Sequence, residues 1–275
     1  MKILLCSLLF LSTMFVANGQ NLKNALDDYL SSLPASTRVS LSIEDMNGKA
    51  YFSQNETLRV PAASIIKVPI MVEVMEQAVA GRINLLTLHS LKATDKTSGA
   101  GALNARPVGS KISVLDLVRL MISVSDNTAT NILIDKVGAK AVNTKMKRLG
   151  LSNLQLNRKM MDTVAVAKGF ENYVTPTEIN ALFRQIYLKK VASPAQCDLM
   201  IAILKSCDDA TTFRKLLPKD LLMAHKTGEL AYVRGDAGII FAGVPFVISV
   251  FVEGTTTKEA EEIIGQIAER AYRFL

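Results

Sequence analysis

The stretch Val60-Pro-Ala-Ala-Ser-Ile-Ile-Lys-Val-Pro69 places one hydroxyl and one amine, those of Ser64 and Lys67, in an otherwise apolar segment. A serine is a poor nucleophile at neutral pH unless a base takes its proton. Positions three apart lie on the same face of a helix, so the amine of Lys67 can reach the hydroxyl of Ser64. Pro69 is tolerated only in or near a first helical turn, which predicts a helix beginning at about Ser64. Alone, the pattern does not distinguish a nucleophile and its base from an exposed serine and lysine at a helix start.

Two further patterns lie downstream. Ser125-Asp126-Asn127 falls between two predicted helices, and its simpler interpretation is a helix cap, because all three residue types favour that position. Lys226-Thr227-Gly228 lies on a predicted strand that enters Glu229, and its simpler interpretation is an ordinary edge strand ending in glycine. Each pattern is weak alone, and the order of all three carries the information.

Together, S-x-x-K, S-D-N and K-T-G form the set found in class A β-lactamases and penicillin-binding proteins. The chain resembles the class A β-lactamase family over essentially its whole length after a predicted leader. The resemblance implies three catalytic residues. Ser64 would attack a carbonyl carbon and become acylated, and Lys67 would help activate it, kept neutral in part by repulsion from Lys226. The hydroxyl of Ser125 would pass a proton to the leaving nitrogen.

The resemblance also implies a substrate-binding set. Asn127 would hydrogen-bond the acylamide side chain of the substrate, while Lys226 and Thr227 would hold its carboxylate. Arg234 is a candidate second cation for that carboxylate, with a surface arginine in a turn as the alternative. No metal and no other cofactor is implied, and neither of the two histidines has a spaced partner that would predict a metal site.

The glycine after Thr227 and the residue that follows it complete this set. Gly228 would let the substrate lie close against the strand. The backbone N–H groups of Ser64 and Glu229 would form an oxyanion hole, which typically contributes a few kcal/mol to catalysis.

One element of the family pattern is absent. The loop glutamate of the motif E-x-x-L-N, which serves deacylation in the family, has no counterpart in the stretch 156–176. Matching Arg158 to the loop arginine puts Met160 at its position, whereas matching from Thr175-Pro176 puts Lys159 there. Neither side chain is a carboxylate base. The chain therefore resembles a divergent member of the family.

Asp162 and Glu171 are the two carboxylates of this loop that could replace the glutamate. A helix cap is the alternative for Asp162, and Glu171 or Asn172 could instead pair with Arg158 to close the loop. Deacylation by Lys67 or Ser125 is a further possibility. Without any positioned base, about 10²–10⁴-fold of general-base assistance would be lost.

Three functions follow from this pattern. The first, which we predict, is a secreted serine hydrolase of class A β-lactamase type that opens the β-lactam ring through an acyl-enzyme on Ser64. The second is a hydrolase on the same scaffold, or a D,D-peptidase-like penicillin-binding protein that deacylates slowly, acting on a cell-wall peptide or another amide or ester. The third is a module that is acylated and stays acylated.

Hydrophobic periodicity predicts the fold. An amphipathic helix at Asn21–Leu33 and strands near residues 38–45 and 50–53 open the chain. Helical periods run from about residue 60 to 207, three strands follow residue 222, and the chain ends in a helix that opens with the capping box Thr256-x-x-Glu259. We predict an α/β (α+β) fold of β-lactamase type, with an antiparallel-rich sheet built from both termini, flanked by helices, and an all-helical domain inserted. The predicted domains are residues 20–57 together with 208–275, and residues 58–207.

Composition and the N-terminus suggest where the protein acts. Residues 1–19 have the basic start, apolar run and small-residue end of a signal peptide, which predicts a periplasmic or secreted protein with no stable membrane anchor. The formal charge of +7 comes from scattered lysines and arginines, so no basic stripe indicates nucleic-acid binding. We expect a monomer that acts on a small β-lactam or cell-wall peptide-like substrate. Cys197 and Cys207 are too far apart on one predicted helix to bond, so both are expected to be free, buried thiols.

Overall fold

The computed structural model describes residues 21–275; the predicted signal peptide lies outside them. Its central feature is a five-stranded antiparallel sheet in the order β2-β1-β9-β8-β7. The strands are β1 (Arg38–Asp45), β2 (Ala50–Gln54), β7 (Met223–Leu230), β8 (Val233–Ile240) and β9 (Phe246–Glu253). Because β1 pairs with β9 along its whole length, strands from the two ends of the chain meet in the middle of the sheet.

Alternation along β9 explains how the sheet is covered on both faces. Val247 and Phe251 pack into one hydrophobic cluster, and Ile248 and Val250 pack into another on the opposite face. The second cluster lies under the first helix, α1, whose described part covers residues 21–31, and under the last helix, α10 (Thr257–Phe274). Helix α7 (Pro176–Tyr187) lies against the first face, where it contacts β1, β8 and β9.

Apart from the four-residue helix Phe213–Leu216, which packs against α10, the remaining helices form the part of the molecule that carries the first two motifs. Helix α2 lies at its centre, in contact with four of the others, and most of its residues are buried. Within the described range, no helix combines the length and apolarity needed to cross a membrane. The helices are α2 (Lys67–Val79), α3 (Val114–Ser123), α4 (Asn127–Val137), α5 (Ala139–Arg148), α6 (Thr163–Ala167), α8 (Pro194–Leu204) and α9 (Phe213–Leu216). Two short two-stranded ladders pair β3 (Val60–Pro61) with β6 (Tyr173–Val174) and β4 (Leu88–Ser90) with β5 (Lys111–Ser113).

The predicted fold class is confirmed: the sheet is antiparallel, it joins both termini and helices flank it. The predicted capping box also forms, since the Thr256 hydroxyl accepts from the Glu259 N–H while the Glu259 carboxylate accepts from the Thr256 N–H. One predicted helix is too long, because α8 ends at Leu204 and leaves Cys207 in the following segment. Both cysteines of the described chain are free and buried, as expected. The domain boundaries stay a prediction, and α7, from the inserted segment, packs on the sheet.

Candidate active site

The short 3-10 turn Ala63–Ile66 carries Ser64 directly before α2 begins at Lys67. In a 3-10 turn, side chains three positions apart nearly eclipse each other. Accordingly, Nζ of Lys67 lies 2.9 Å from Oγ of Ser64. The expected contact between the two side chains is therefore present. Pro69 lies in the first turn of α2, where its missing N–H leaves no helical bond unmade.

Lys67 is completely buried, and its amine has four partners. Nζ lies 2.7 Å from the carbonyl oxygen of Ser125, 3.0 Å from Oδ1 of Asn127, and 2.9 Å from Oγ of both Ser64 and Ser125. Burial, followed by repulsion from Lys226, lowers the pKa of Lys67 well below its ordinary value. A neutral amine can donate two N–H hydrogen bonds, here to the carbonyl oxygen of Ser125 and the amide oxygen of Asn127. Its lone pair is then free to accept a hydrogen bond from one of the two hydroxyls. The arrangement suits a base.

The segment Ser125-Asp126-Asn127 both caps a helix and contributes side chains to the cavity at Ser64. Asp126 is the N-cap of α4, because its Oδ1 accepts from the N–H of Ala129. Its neighbours Ser125 and Asn127 line the cavity above Ser64 instead. Ser125 has a φ of 56°, a left-handed conformation that is uncommon for a residue other than glycine. This conformation, held by the buried cap, directs the carbonyl and hydroxyl of Ser125 towards Lys67.

The third motif lies on β7, the edge strand of the sheet, next to the turn that carries Ser64. The side chains of Lys226 and Thr227 are buried, yet both residues line the same cavity as Ser64. The amine of Lys226 donates to the carbonyl of Thr227 at 2.9 Å, and burial lowers its pKa. A cation at this point can bind an anionic group that enters the cavity.

Gly228 is required by packing in addition to any contact with substrate. A Cβ placed there would lie 3.0 Å from Cβ of Ala63, 3.1 Å from the carbonyl oxygen of Ala62 and 3.2 Å from Cγ1 of Ile65. All three neighbours belong to the Ser64 turn or directly precede it. The glycine therefore lets β7 approach that turn closely.

We expect Gly228→Ala to displace the Ser64 turn by a few tenths of an ångström, to destabilise the protein by about 1–3 kcal/mol through overpacking, and to slow the reaction of Ser64. Gly243→Ala is the matched control, because a Cβ at Gly243 meets nothing within 4 Å. Thermal unfolding and the rate of adduct formation with a penicillin would measure both effects. Equal behaviour of the two variants would contradict this role for Gly228.

A cavity of about 520 Å³ brings together most of the residues predicted from the motifs. Its lining includes Ser64, Ser125, Asn127, Lys226, Thr227, Gly228, Glu229 and Arg234. Arg234 is buried, and its Nη2 donates to Asp209 at 2.7 Å and to Oγ1 of Thr211 at 2.6 Å. Burial opposes ionisation of Asp209, but the hydrogen bond and the charge of Arg234 outweigh it and hold the Asp209 pKa well below its usual range. Because Asp209 balances the charge of Arg234, direct binding of substrate by this arginine stays a prediction.

A second, smaller cavity of about 220 Å³ also reaches Ser64 and lies beside the loop in which the family glutamate is missing. Its apolar lining includes Met160, Met161, Val166 and Leu230. Lys159 instead points to the surface, where it pairs with Asp135. Of the two matches that the sequence left open, the geometry favours Met160 as the residue that occupies the position next to Ser64.

The two loop carboxylates are both engaged elsewhere. Asp162 lines the smaller cavity, but its Oδ1 accepts from the N–H of Ala165 and caps α6. Glu171 lines neither cavity, and its two oxygens accept from Nε and Nη2 of Arg158 at 2.9 and 3.0 Å. This ion pair closes the loop, which is the alternative role expected for Glu171 from the sequence. The structure therefore argues against Glu171 as the deacylating base, whereas Asp162 stays a prediction.

Sequence reasoning missed several residues of these cavities. The carboxylate-bearing side chain of Glu229 is exposed and borders both cavities, although only its backbone N–H was assigned. Met161 also borders both, with a left-handed φ of 61°. Cys207 was expected to be a free, buried thiol, and the structure also places it in the lining of the larger cavity. No local signal indicated these positions, because each depends on how distant segments meet.

Comparison with known proteins identifies the family. The model of the β-lactamase enzyme family matches residues 21–275. β-Lactamase VEB-1 of Pseudomonas aeruginosa is 25% identical over 295 aligned positions, covering 99% of this chain and 97% of the relative.

Solved structures agree with this match. The β-lactamase of Sphaerobacter thermophilus superposes with a TM-score of 0.82 at 30% identity, covering 95% of this chain and 96% of the other. A mutant of PBP-A, solved as an acyl-enzyme complex with penicillin G, superposes with a TM-score of 0.80 at 27% identity over 96% of both chains. The resemblance that the three motifs indicated is thus confirmed, and the chain belongs to the β-lactamase enzyme family.

Proposed function

We propose that the protein is a serine hydrolase that opens β-lactams through an acyl-enzyme on Ser64. The observation that carries this proposal is the position of one buried amine, that of Lys67, 2.9 Å from the hydroxyls of both Ser64 and Ser125 at the edge of a cavity. A nucleophile within hydrogen-bond reach of its base is the arrangement that acyl transfer requires. Membership of the β-lactamase family supports the same reaction class.

In the proposed acylation, Oγ of Ser64 attacks the carbonyl carbon of the lactam while its proton passes to the neutral amine of Lys67. The tetrahedral intermediate then collapses, and the carbon–nitrogen bond of the ring breaks. The hydroxyl of Ser125 gives its proton to the leaving nitrogen and recovers one from Lys67, whose Nζ is 2.9 Å away. Lys67 thereby returns to its neutral form.

Substrate binding is proposed to use the edge of the sheet. The carboxylate of the substrate would lie against Lys226 and Thr227, and its acylamide group against Asn127, all three of which line the cavity. The N–H groups of Ser64 and Glu229 would receive the developing oxyanion. Arg234, tied to Asp209, would act by supporting this region of the sheet in addition to any direct contact.

Deacylation distinguishes this function from a second candidate. The E-x-x-L-N glutamate is absent from the loop, and Met160 lines the cavity where a deacylating base would be expected. Glu171 is bound to Arg158, and Asp162 caps a helix. This favours, as the alternative, a penicillin-binding or D,D-peptidase-like enzyme whose natural substrate is a cell-wall peptide or another amide or ester and which releases β-lactams slowly. Similarity to PBP-A, a mutant of which was solved as an acyl-enzyme complex with penicillin G, supports this candidate too.

The proposed setting follows from the sequence. Residues 1–19 would direct export and be removed, and the mature monomer would act in the periplasm or outside the cell. If β-lactams are its substrates, antibiotic resistance is the proposed biological consequence. Neither a metal nor another cofactor takes part in the proposed steps.

The test combines intact-mass spectrometry with steady-state hydrolysis of a penicillin and a chromogenic cephalosporin. Sustained turnover with little adduct is expected for the first candidate, and a persistent stoichiometric adduct for the second. Ser64→Ala should abolish both signals. Absence of turnover and of adduct in the unaltered protein would refute the β-lactam proposal altogether.

A further inference from the structure

Three neighbouring side chains at the wall of the larger cavity, those of Cys207, His225 and Asp236, take no part in the proposed reaction. Cys207, only 4% exposed, forms part of the wall. His225 precedes Lys226 on β7 and is completely buried. Asp236 lies on the neighbouring strand β8, two residues from Gly238, the register partner of His225. From the sequence, Cys207 was expected only to be a free, buried thiol.

The imidazole is held in one orientation by the carboxylate. Nδ1 of His225 lies 2.9 Å from Oδ1 and 3.1 Å from Oδ2 of Asp236. Asp236 is itself fixed, because its Oδ2 accepts from the hydroxyl of Thr212 at 2.7 Å. The other ring nitrogen, Nε2, is buried and has no hydrogen-bond partner within the described part of the chain. The thiol of Cys207 is close enough to this ring for each group to shift the pKa of the other.

The charges of this cluster favour a thiolate. Burial lowers the pKa of His225, but the charge and hydrogen bond of Asp236 outweigh burial and raise it to about 10, so the ring is protonated at neutral pH. Burial raises the pKa of the Cys207 thiol, but the hydrogen bond and charge of His225, together with the charge of Lys226, bring it below its ordinary value. A thiol next to an imidazolium, itself oriented by a carboxylate, is the arrangement that activates a cysteine nucleophile.

We propose that Cys207 is a modification site that forms mixed disulfides with low-molecular-weight disulfides entering the larger cavity. The Cys207 thiolate attacks one sulfur of the disulfide, a new sulfur–sulfur bond forms, and the original one breaks. The second sulfur leaves as a thiolate and takes a proton from solvent. No net oxidant is needed beyond the disulfide itself.

The modification has a consequence that rests on the proposed function. Cys207 shares the cavity wall with Lys226 and Thr227, where the substrate carboxylate is proposed to bind. A group attached to the sulfur would project into the space that this part of the substrate needs. Acylation of Ser64 would then slow, and a thiol reductant would restore it.

The chain supplies its own control cysteine. Cys197 is also buried and free, but it lies within α8, where its Sγ is 3.9 Å from the carbonyl oxygen of Ala192, and it lines neither cavity. Treatment of the full chain with bis(2-hydroxyethyl) disulfide, acid quenching and peptide mapping would give the rate at each cysteine. We expect Cys207 to react about 100-fold faster than Cys197 at pH 7 because it borders the larger cavity and the pKa of its thiol is lowered. Equal rates would overturn the proposal.

A second arm separates activation from access. His225→Gln keeps the cavity open but removes the positive ring. We therefore expect the rate of reaction at Cys207 to fall about tenfold at pH 7, and the increase of this rate with pH to begin at a higher pH. If this variant does not fold, the unaltered protein decides the question. The ionisable groups around the pair are Lys226, Asp236, Arg234, Asp208 and Asp209. A rate at Cys207 that rises with pH as that of an ordinary free thiol does would contradict activation by His225.

A third arm keeps this inference distinct from the proposed function. Labelling of Cys207 should be unchanged in Ser64→Ala, because the thiol chemistry does not use Ser64. In the unaltered protein, labelling should slow adduct formation with a penicillin at least tenfold, dithiothreitol should reverse the effect, and Cys207→Ser should be insensitive to the disulfide. Fast labelling without any β-lactam adduct would leave the thiol site standing and remove the β-lactam function. Fast labelling of Cys207 that leaves adduct formation unchanged would refute the coupling between the two.

Discussion

Lys67→Met is expected to slow acylation of Ser64 by roughly 10²–10⁴-fold, the range that a positioned general base contributes. Methionine occupies a similar volume, but its thioether sulfur is far too weak a base to take the proton of Ser64. The amine that now lies 2.9 Å from both serine hydroxyls would be absent. The rate of penicillin adduct formation, followed by intact mass after rapid quenching, measures the effect.

The pH dependence of acylation gives a second readout of the same amine. Burial and Lys226 hold the pKa of Lys67 well below 10.5. Acylation by the unaltered protein should therefore be slow where the amine is protonated, rise as pH passes through the lowered pKa, and level off above it. In Lys67→Met this rise of the acylation rate with pH should be absent. Lys67→Arg, which cannot lose its proton at these pH values, should be as slow as Lys67→Met.

A matched control is available in Lys159→Met, which changes an exposed lysine that pairs with Asp135. Both substitutions replace a lysine by methionine, so a difference between them reports the position of the amine that is lost. Folding is checked by thermal unfolding, because Lys67→Met leaves the carbonyl of Ser125 and the amide oxygen of Asn127 without a donor. A folded Lys67→Met protein that acylates within about tenfold of normal would show that another group activates Ser64.

Met160→Glu is expected to shorten the lifetime of the penicillin adduct by roughly 10²–10⁴-fold. Met160 is buried and lines the cavity that reaches Ser64, so a carboxylate there can polarise a water against the ester. Because burial raises the pKa of a carboxyl group, the acceleration should grow with pH until the new glutamate is ionised. Adduct decay, measured by mass after removal of excess penicillin, gives the lifetime.

Two variants make this result specific. Met160→Gln has nearly the same shape without the ionisable carboxyl, so it should not accelerate decay. Lys159→Glu places the carboxylate at the alternative match, on the surface, and should also have no effect. If Lys159→Glu accelerates decay and Met160→Glu does not, the structural assignment of this loop is wrong. If the unaltered protein already turns over rapidly, Asp162→Asn and Glu229→Gln identify which carboxylate acts as its base.

Local patterns predicted the parts of the molecule that depend on neighbouring residues. The strand at Arg38–Asp45 follows from its alternation, and the contact between Ser64 and Lys67 follows from spacing along a helical turn. The end of α8 was placed too late because nothing in the local period distinguishes Leu204 from the residues that follow it.

The remaining features depend on partners that are distant in sequence. Whether Met160 or Lys159 occupies the cavity is decided by how the loop closes on Arg158 and Glu171, which spacing alone left open. The pairing of Asp209 with Arg234 arises because a loop after α8 meets the β8 strand. Such contacts form only when the chain is folded. Residue types in the sequence could therefore suggest that a charged pair exists, but they could not show which two residues form it.

The pairing of β1 with β9 also constrains the order in which the protein can assemble. Arg38 lies opposite Glu253, so the central ladder joins residues separated by more than two hundred positions. During synthesis from the N-terminus, the first hairpin must wait until nearly the whole chain has emerged before its partner strand exists. Such non-local pairing slows folding. A chain whose central ladder cannot form until synthesis is almost complete stays free to be threaded through a pore for longer, which is compatible with the proposed export before folding.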